Sequence, residues 1–409
     1  MNRVVITGIG IISPLGIGKN IFADALMSEV SGIKDISLFD TAVYKTRKAG
    51  EVTGFDAAVY LGPKGLRTLD RSTRLVSSAT KLALDDAGFV VTEENAPRLG
   101  VAIGTMFGSL RSIAEFDRDA MVDGPQYVNP AFFPNTVINS PASQVSIKFN
   151  CKGFNSTLAT GFCASLDAMK YAADFLRLGR VDAVLCGGVE ELCQETYLGL
   201  YKAGCLAGIN GAEIACPFDK RRNGLIIGEG AVIFCLETLD AARKRNAHIC
   251  AEVAAGANAF SSSGINAYDQ RGAGVRTAMR KTVAGAGLSE GDIDCIFAAA
   301  NATLDADKIE AEAIRHVFSG ASREVSVTAI KSKTGECLSA SGAIAAAAAV
   351  VAIERNSVPA TMNFSMPDPA CTLNLVTGKA RQQRVDTALV NAVGPSGNNT
   401  SLLIRRVNL

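Results

Sequence analysis

Two imidazoles, His248 and His316, are all that this chain of 409 residues carries, and that scarcity bounds its chemistry before any motif is read. Two distant histidines cannot supply a histidine-based zinc site, and no H-E-x-x-H occurs. A Ser-His-Asp hydrolase is equally hard to assemble. His248 flanks a strand at an expected boundary between halves, and His316 lies on a surface-like helix over 311–318. Both read as solvated or capping residues. Thiols are plentiful by contrast. The eleven cysteines are an odd number without a C-x-x-C pair, which points to buried thiols in a reducing cytosol, with neither a disulfide framework nor a metal site. Gly8-Ile9-Gly10 opens like a dinucleotide fingerprint, but Ser13 stands at the third glycine and Pro14 follows, so no helix begins where a pyrophosphate would sit. Gly18-Lys19 lacks the upstream glycine of a phosphate-binding loop, again because Ser13 occupies that place.

The elements that would position any site alternate along the whole chain. Apolar runs at 4–6, 99–103, 183–186, 230–236, 293–297 and 387–391 read as buried strands. Small-residue stretches at 78–87, 166–178, 236–245 and 274–286 read as helices, so the expected class is α/β with helices covering the sheets. Hydrophobic residues make up 48% and charged ones 20%, which excludes a disordered or fibrous chain. Lysine and arginine exceed the acids by 41 − 40 = 1 with no basic stripe, so nothing favours nucleic acid. The longest apolar run, 343–353, is far short of the roughly 20 residues that span a bilayer and reads as a buried helix. The start lacks signal-peptide architecture and reads as a strand entering the fold, an expectation of a cytoplasmic protein with no membrane segment.

A weak duplication runs through the chain. Ala83-Leu84-Asp85-Asp86-Ala87-Gly88 leads through an acidic loop into the strand at 99–103, and Val283-Ala284-Gly285-Ala286-Gly287 leads likewise into 293–297. The small-residue helix after Gly161 has a counterpart after Gly335. The break between halves is expected near 246–250, giving units 1–247 and 248–409.

Read together, the punctuated segments resemble the β-ketoacyl-ACP synthase, or ketosynthase, family of the thiolase superfamily. Val4 to Gly16 is similar to that family's opening strand and turn. Cys216-Pro217-Phe218-Asp219-Lys220-Arg221-Arg222-Asn223-Gly224 with Gly228-Glu229-Gly230-Ala231 resembles its P-F-D-x-x-R-x-G…G-E-G-A signature. Lys331-Ser332-Lys333-Thr334-Gly335 and Asn391-Ala392-Val393-Gly394-Pro395-Ser396-Gly397-Asn398-Asn399 match two further motifs in order. The resemblance implies a thiolase-like fold of two βαβαβαββ halves stacked as five layers, α-β-α-β-α, and paired into dimers. It implies no cofactor. In the family a cysteine takes an acyl chain from acyl carrier protein, and two histidines hold the malonyl thioester during decarboxylative condensation.

Carried over one position at a time, the reactive groups are missing. Thr160-Gly161-Phe162-Cys163-Ala164-Ser165-Leu166-Asp167-Ala168 aligns with T-G-C-x-S-G-L-D-A and places Phe162 at the nucleophile. Cys163 falls one residue later, a 100° rotation on a helix, so its thiol should point away from the pocket. In the stretch N-A-H-G-T the first histidine becomes Ala299, while Thr303, Asp307 and Glu310 keep their places as support. The second histidine, in K-S-x-T-G-H, becomes Glu336, expected to pair with Lys331. Pro395, after Gly394, replaces the phenylalanine of the gating turn.

This pattern looks like a chain-length factor, the ketosynthase-β kind of subunit that lacks the nucleophile and pairs with an active ketosynthase. The resemblance also implies acyl carrier protein as a partner and Phe133 in the segment lining the dimer-side pocket. Homodimerisation and an active synthase using Cys163 as nucleophile stay open at this point, as does an acyl-binding protein of the same fold. Three further readings are structural. Gly187-Gly188 permit close strand–helix packing, Glu229 pairs with an arginine such as Arg222, and Arg243-Lys244-Arg245 is a solvated helix end.

Overall fold

The computed structural model describes residues 2–264, 267–321 and 324–407. Ten strands carry the architecture: β1 Val4–Ser13, β2 Leu99–Gly104, β3 Asn155–Leu158, β4 Ala183–Glu190, β5 Gly230–Thr238, β6 Ala251–Phe260, β7 Cys295–Phe297, β8 Ser326–Thr328, β9 Thr387–Val393 and β10 Asn398–Arg405. With the short Gly16–Ile17 strand they form one sheet in the order β8-β7-β9-β10-β6-β1-β5-β4-β2-β3. Its two ends repeat each other. From β1 outward the neighbours pair antiparallel, antiparallel, parallel and parallel, and from β6 outward the same sequence recurs. The expected duplication is therefore a repeat of strand topology, joined where Val5 and Ile6 of β1 pair with Glu252 and Ala251 of β6.

Two helices, α4 Ala164–Arg177 and α7 Ser341–Arg355, pack against each other and against strands of both repeats. The central layer of the expected α-β-α-β-α stack is this pair. On the outer faces lie α2 Arg71–Ala87 over β1 and β5, and α5 Ala273–Gly285 over β6 and β10, with α6 Leu304–Phe318 beside α5. Every residue of α7 from Ser341 to Ile353 is buried, and its run of alanines lets it pack closely against strands of both repeats. Among the described residues, 338–355 is also the one helical stretch with the length and apolar composition to cross a bilayer, and it lies inside the protein.

Several elements run longer than the sequence suggests, for local reasons. β1 extends to Ser13 and is buried throughout because both its faces are covered, so it shows no alternation. α2 begins at Arg71, seven residues before the expected start, since Asp70 caps it by accepting the Thr73 N–H at 2.7 Å. The stretch read as helix from 236 is strand up to Thr238, whose side chain then caps a short helix, Leu239–Lys244. Arg245 is not merely solvated; it makes a forked ion pair with Glu237 at 2.6 and 2.8 Å and donates to the Ala87 carbonyl.

The early glycines serve packing. A Cβ on Gly10 would lie 1.8 Å from the Ala79 carbonyl oxygen and 2.6 Å from the Ala83 nitrogen, so α2 rests directly on the backbone of β1. On β4, a Cβ on Gly188 would meet the Ser165 Cβ at 2.5 Å, as close strand–helix packing requires. Gly10→Ala should lower unfolding stability by about 1–3 kcal/mol, measured by urea denaturation, with the native circular-dichroism spectrum kept.

Candidate functional site

The chain reaches the site through a tight turn. After β3, Gly161 takes φ 64°, a left-handed value suited to glycine, and the turn Gly161–Cys163 starts α4. Phe162 is buried in an apolar cluster with Leu192, Tyr197, Leu206, Leu225 and Leu338. The position that aligns with a thiol thus holds a phenyl ring embedded in hydrocarbon. Cys163 turns the other way. Its Sγ is fully buried and donates to the carbonyls of Ala392 and Asn398, at the facing ends of β9 and β10, each at 3.2 Å. Burial, with the Asp167 charge beside it, pushes this thiol far above its ordinary range. It is a packed hydrogen-bond donor.

Ala299 follows β7, and Glu336 follows the turn Lys331–Thr334; both are buried. Lys331 Nζ donates to the Ala299 carbonyl and to Glu336 Oε2, both at 2.7 Å. Asn301 Nδ2 donates to the same carboxylate oxygen at 2.9 Å, and Ser341 Oγ donates to Oε1 at 2.6 Å. The expected ion pair is present, and Asn301 and Ser341 complete it. Sequence register placed Glu336 there but gave no signal for Asn301 or Ser341, whose roles depend on how the loop after β7 meets the start of α7.

The supporting acids anchor backbone. Asp307 accepts from the amides of Asn301 and Ala302 through Oδ1 and of Phe218 through Oδ2, at 2.8 to 3.2 Å. Phe218 and Ala302 both have left-handed φ, 63° and 71°, so one carboxylate pins two strained residues. Burial lifts Asp307 to about 7 against these bonds. Glu310 Oε1 takes the Ala299 amide at 2.9 Å and Asn391 Nδ2 at 3.0 Å, while its buried Oε2 has no hydrogen-bond partner among the described residues.

Glu229 pairs with Arg71, not with Arg222. The Arg71 fork meets its carboxylate at 2.5 and 2.7 Å, because Glu229 lies beneath the first turn of α2. Arg222 leaves the turn after Phe218 in the other direction and bonds Asp368 at 2.5 Å. Gly394 lies in the turn between β9 and β10, where a Cβ would sit 3.9 Å from that of Phe162, and Pro395 follows it. The cavity beside this turn, lined by Tyr268, Val393, Gly394 and Asn399 among others, holds about 10 Å³, room for one water at most. A cleft of about 530 Å³ opens elsewhere, between the start of α2 and α3 Leu110–Val122. Phe133 is on that side, 58% exposed, with Met121, Val122, Tyr127 and Phe132 also exposed. His248 and His316 are both exposed, and neither joins the hydrogen-bond network of the buried site.

Residues 1–242 match the β-ketoacyl synthase N-terminal domain and residues 250–365 the β-ketoacyl synthase C-terminal domain. The chain belongs to the β-ketoacyl synthase family. It is 34% identical over 408 residues to 3-oxoacyl-[acyl-carrier-protein] synthase 2 of Coxiella burnetii, covering 99% of each chain. Among solved structures, the ishigamide ketosynthase/chain length factor superposes with a TM-score of 0.93 at 29% identity, covering both chains fully. A type II PKS acyl-carrier protein in complex with its ketosynthase bound to the hexaketide gives 0.91 at 26% identity, again over both full chains. The fold is accordingly the thiolase-like α/β fold of ketosynthases.

Lys331→Met should cost about 3–5 kcal/mol by leaving the Glu336 charge buried alone, and adding Glu336→Gln should recover much of it. A chemical-denaturation cycle on this β-ketoacyl synthase homologue reads both. A second outcome concerns pH. Glu190 accepts the Met106 and Phe107 amides and Ser339, yet burial raises it to about 7, and burial beside Asp70 raises Glu191 to about 8. Both bind protons more tightly folded than unfolded, so their favourable contribution is complete in acid and is lost as pH rises through those values. The melting midpoint should fall between pH 4.5, the ordinary glutamate value, and about 8, and Glu191→Gln should flatten that fall.

Proposed function

We propose that this chain is a non-condensing ketosynthase-like subunit of the chain-length-factor kind, which pairs with an active β-ketoacyl synthase in type II polyketide, polyene or fatty-acid synthesis. The observation that carries the reading is the Lys331–Glu336 pair in the place of an imidazole, beside Ala299 and Phe162. Condensation needs a thiolate to hold the acyl group and donors aimed at the developing enolate. A benzyl ring and a methyl group offer neither, and a carboxylate opposes both negative charges. The exposed apolar residues around Phe133 support pairing through that side, since a contiguous apolar patch on a soluble protein marks a contact surface. On this reading the partners are an active ketosynthase subunit and acyl carrier protein, and the setting is cytoplasmic.

A rival reading makes the chain itself an active synthase through Cys163, and the name carried by the Coxiella burnetii relative favours it. It requires the Cys163 thiol to leave two carbonyls and reach a cavity it now faces away from. The deciding assay expresses the chain alone and together with a ketosynthase that keeps its cysteine and histidines, then measures condensation of acyl- and malonyl-carrier protein. The isolated chain should show no turnover. Co-expression should give a heterodimer, and Phe133→Asp should abolish co-purification while leaving the chain folded. Turnover by the isolated chain that disappears in Cys163→Ser would establish the rival.

A further inference from the structure

Away from the ketosynthase site, the end of α7 meets the approach to β6. His248 and Cys250 are two residues apart in extended chain, so their side chains share one side. Glu354, in the last turn of α7, faces them, and each of the three offers a donor atom within 4.8 Å of the others. Lys19, the first residue of α1 Lys19–Met27, reaches into the group. Its Nζ lies 2.7 Å from Glu354 Oε1 and 3.5 Å from Cys250 Sγ. Asp86, fixed by the Ile9 amide at 2.8 Å, adds a second negative charge to the surroundings of Lys19 and Cys250.

We propose that His248, Cys250 and Glu354 form a three-ligand site for a zinc-class divalent cation, and that Lys19 occupies the position as a competing cation. Imidazole, thiolate and carboxylate together are the donor set that suits zinc, and three protein ligands leave a fourth position open to water or another ligand. The carboxylates already hold a positive charge there. A divalent ion would take over that role while the Cys250 thiol gives its proton to solvent and Lys19 swings outward as an ammonium on its flexible stem. Sequence spacing argued against any metal site, since the cysteines form no C-x-x-C pair and the two histidines are distant. The fold supplies one histidine and takes its other ligands from β6's approach and α7.

The test is titration of the full, reduced chain with Co²⁺, following thiolate-to-cobalt charge transfer and the visible bands of a tetrahedral ion. Saturation at one equivalent is expected, together with a raised melting midpoint on adding Zn²⁺. Cys250→Ser should remove the charge-transfer band, the exposed His248→Ala should weaken binding at least about tenfold, and Lys19→Met should tighten it. Absence of the band in the wild-type chain, or a band that survives Cys250→Ser and so belongs to another of the cysteines, overturns the site. Binding no tighter in Lys19→Met overturns the part given to the lysine. None of these readouts depends on whether the chain condenses acyl groups.

Discussion

The constraint on which the rest of the site depends is the burial of the Lys331 ammonium. A cation removed from water requires an anion and acceptors at close range, or it destabilises the fold by several kcal/mol. Lys331 finds Glu336 and the Ala299 carbonyl, and Glu336 in turn accepts from Asn301 and Ser341. The network ties the loop after β7, the turn after β8 and the first residue of α7 into one unit. Once it is complete, Glu336 has bonds to both oxygens, and the Lys331 charge is balanced within the network.

Around this pair the backbone keeps a costly geometry. Phe218, Ala302 and Leu338 all have left-handed φ, although none is glycine. Such residues cost about 1–3 kcal/mol each and persist only where neighbours over-determine them. Asp307 does that for Phe218 and Ala302, and Leu338 is fixed in the apolar cluster that also holds Phe162. The strained frame is thus held in place around Ala299 and Phe162 by backbone-anchoring bonds and apolar packing.

The reading of the sequence succeeded where register alone decides. Long motifs in order made the family legible, and the Lys331–Glu336 pairing followed from charge. Failures cluster where a partner is far along the chain. Arg71 lies 158 residues from Glu229, so proximity in sequence favoured Arg222 wrongly. Asn301 and Ser341 were invisible as ligands of Glu336, since a polar side chain near a loop carries no mark of what it will face. Gly8 and Gly10 suggested a nucleotide motif because close helix–strand approach and phosphate binding call for the same residue. The helix was expected only from Ser78 because Ser72, Thr73 and Ser77 are polar, although all three are buried.

Phe162 and Cys163 are neighbours in sequence, and the geometry sends their side chains to different parts of the core. At the start of α4, neighbouring positions point about 100° apart. Phe162 packs into an apolar cluster with Leu338 from the turn before α7. Cys163 takes the direction of the sheet and joins the ends of β9 and β10 to the helix through two carbonyls. Exchanging their roles would require α4 to rotate against α7, yet Gly188 lies against Ser165 and Gly342 against Leu166 with no room to spare. The packed centre of the fold therefore fixes the direction each of the two side chains takes. Phe133 and its neighbours are exposed on the surface, far in character from this core. The interior can be sealed without altering the face through which a subunit would meet a partner.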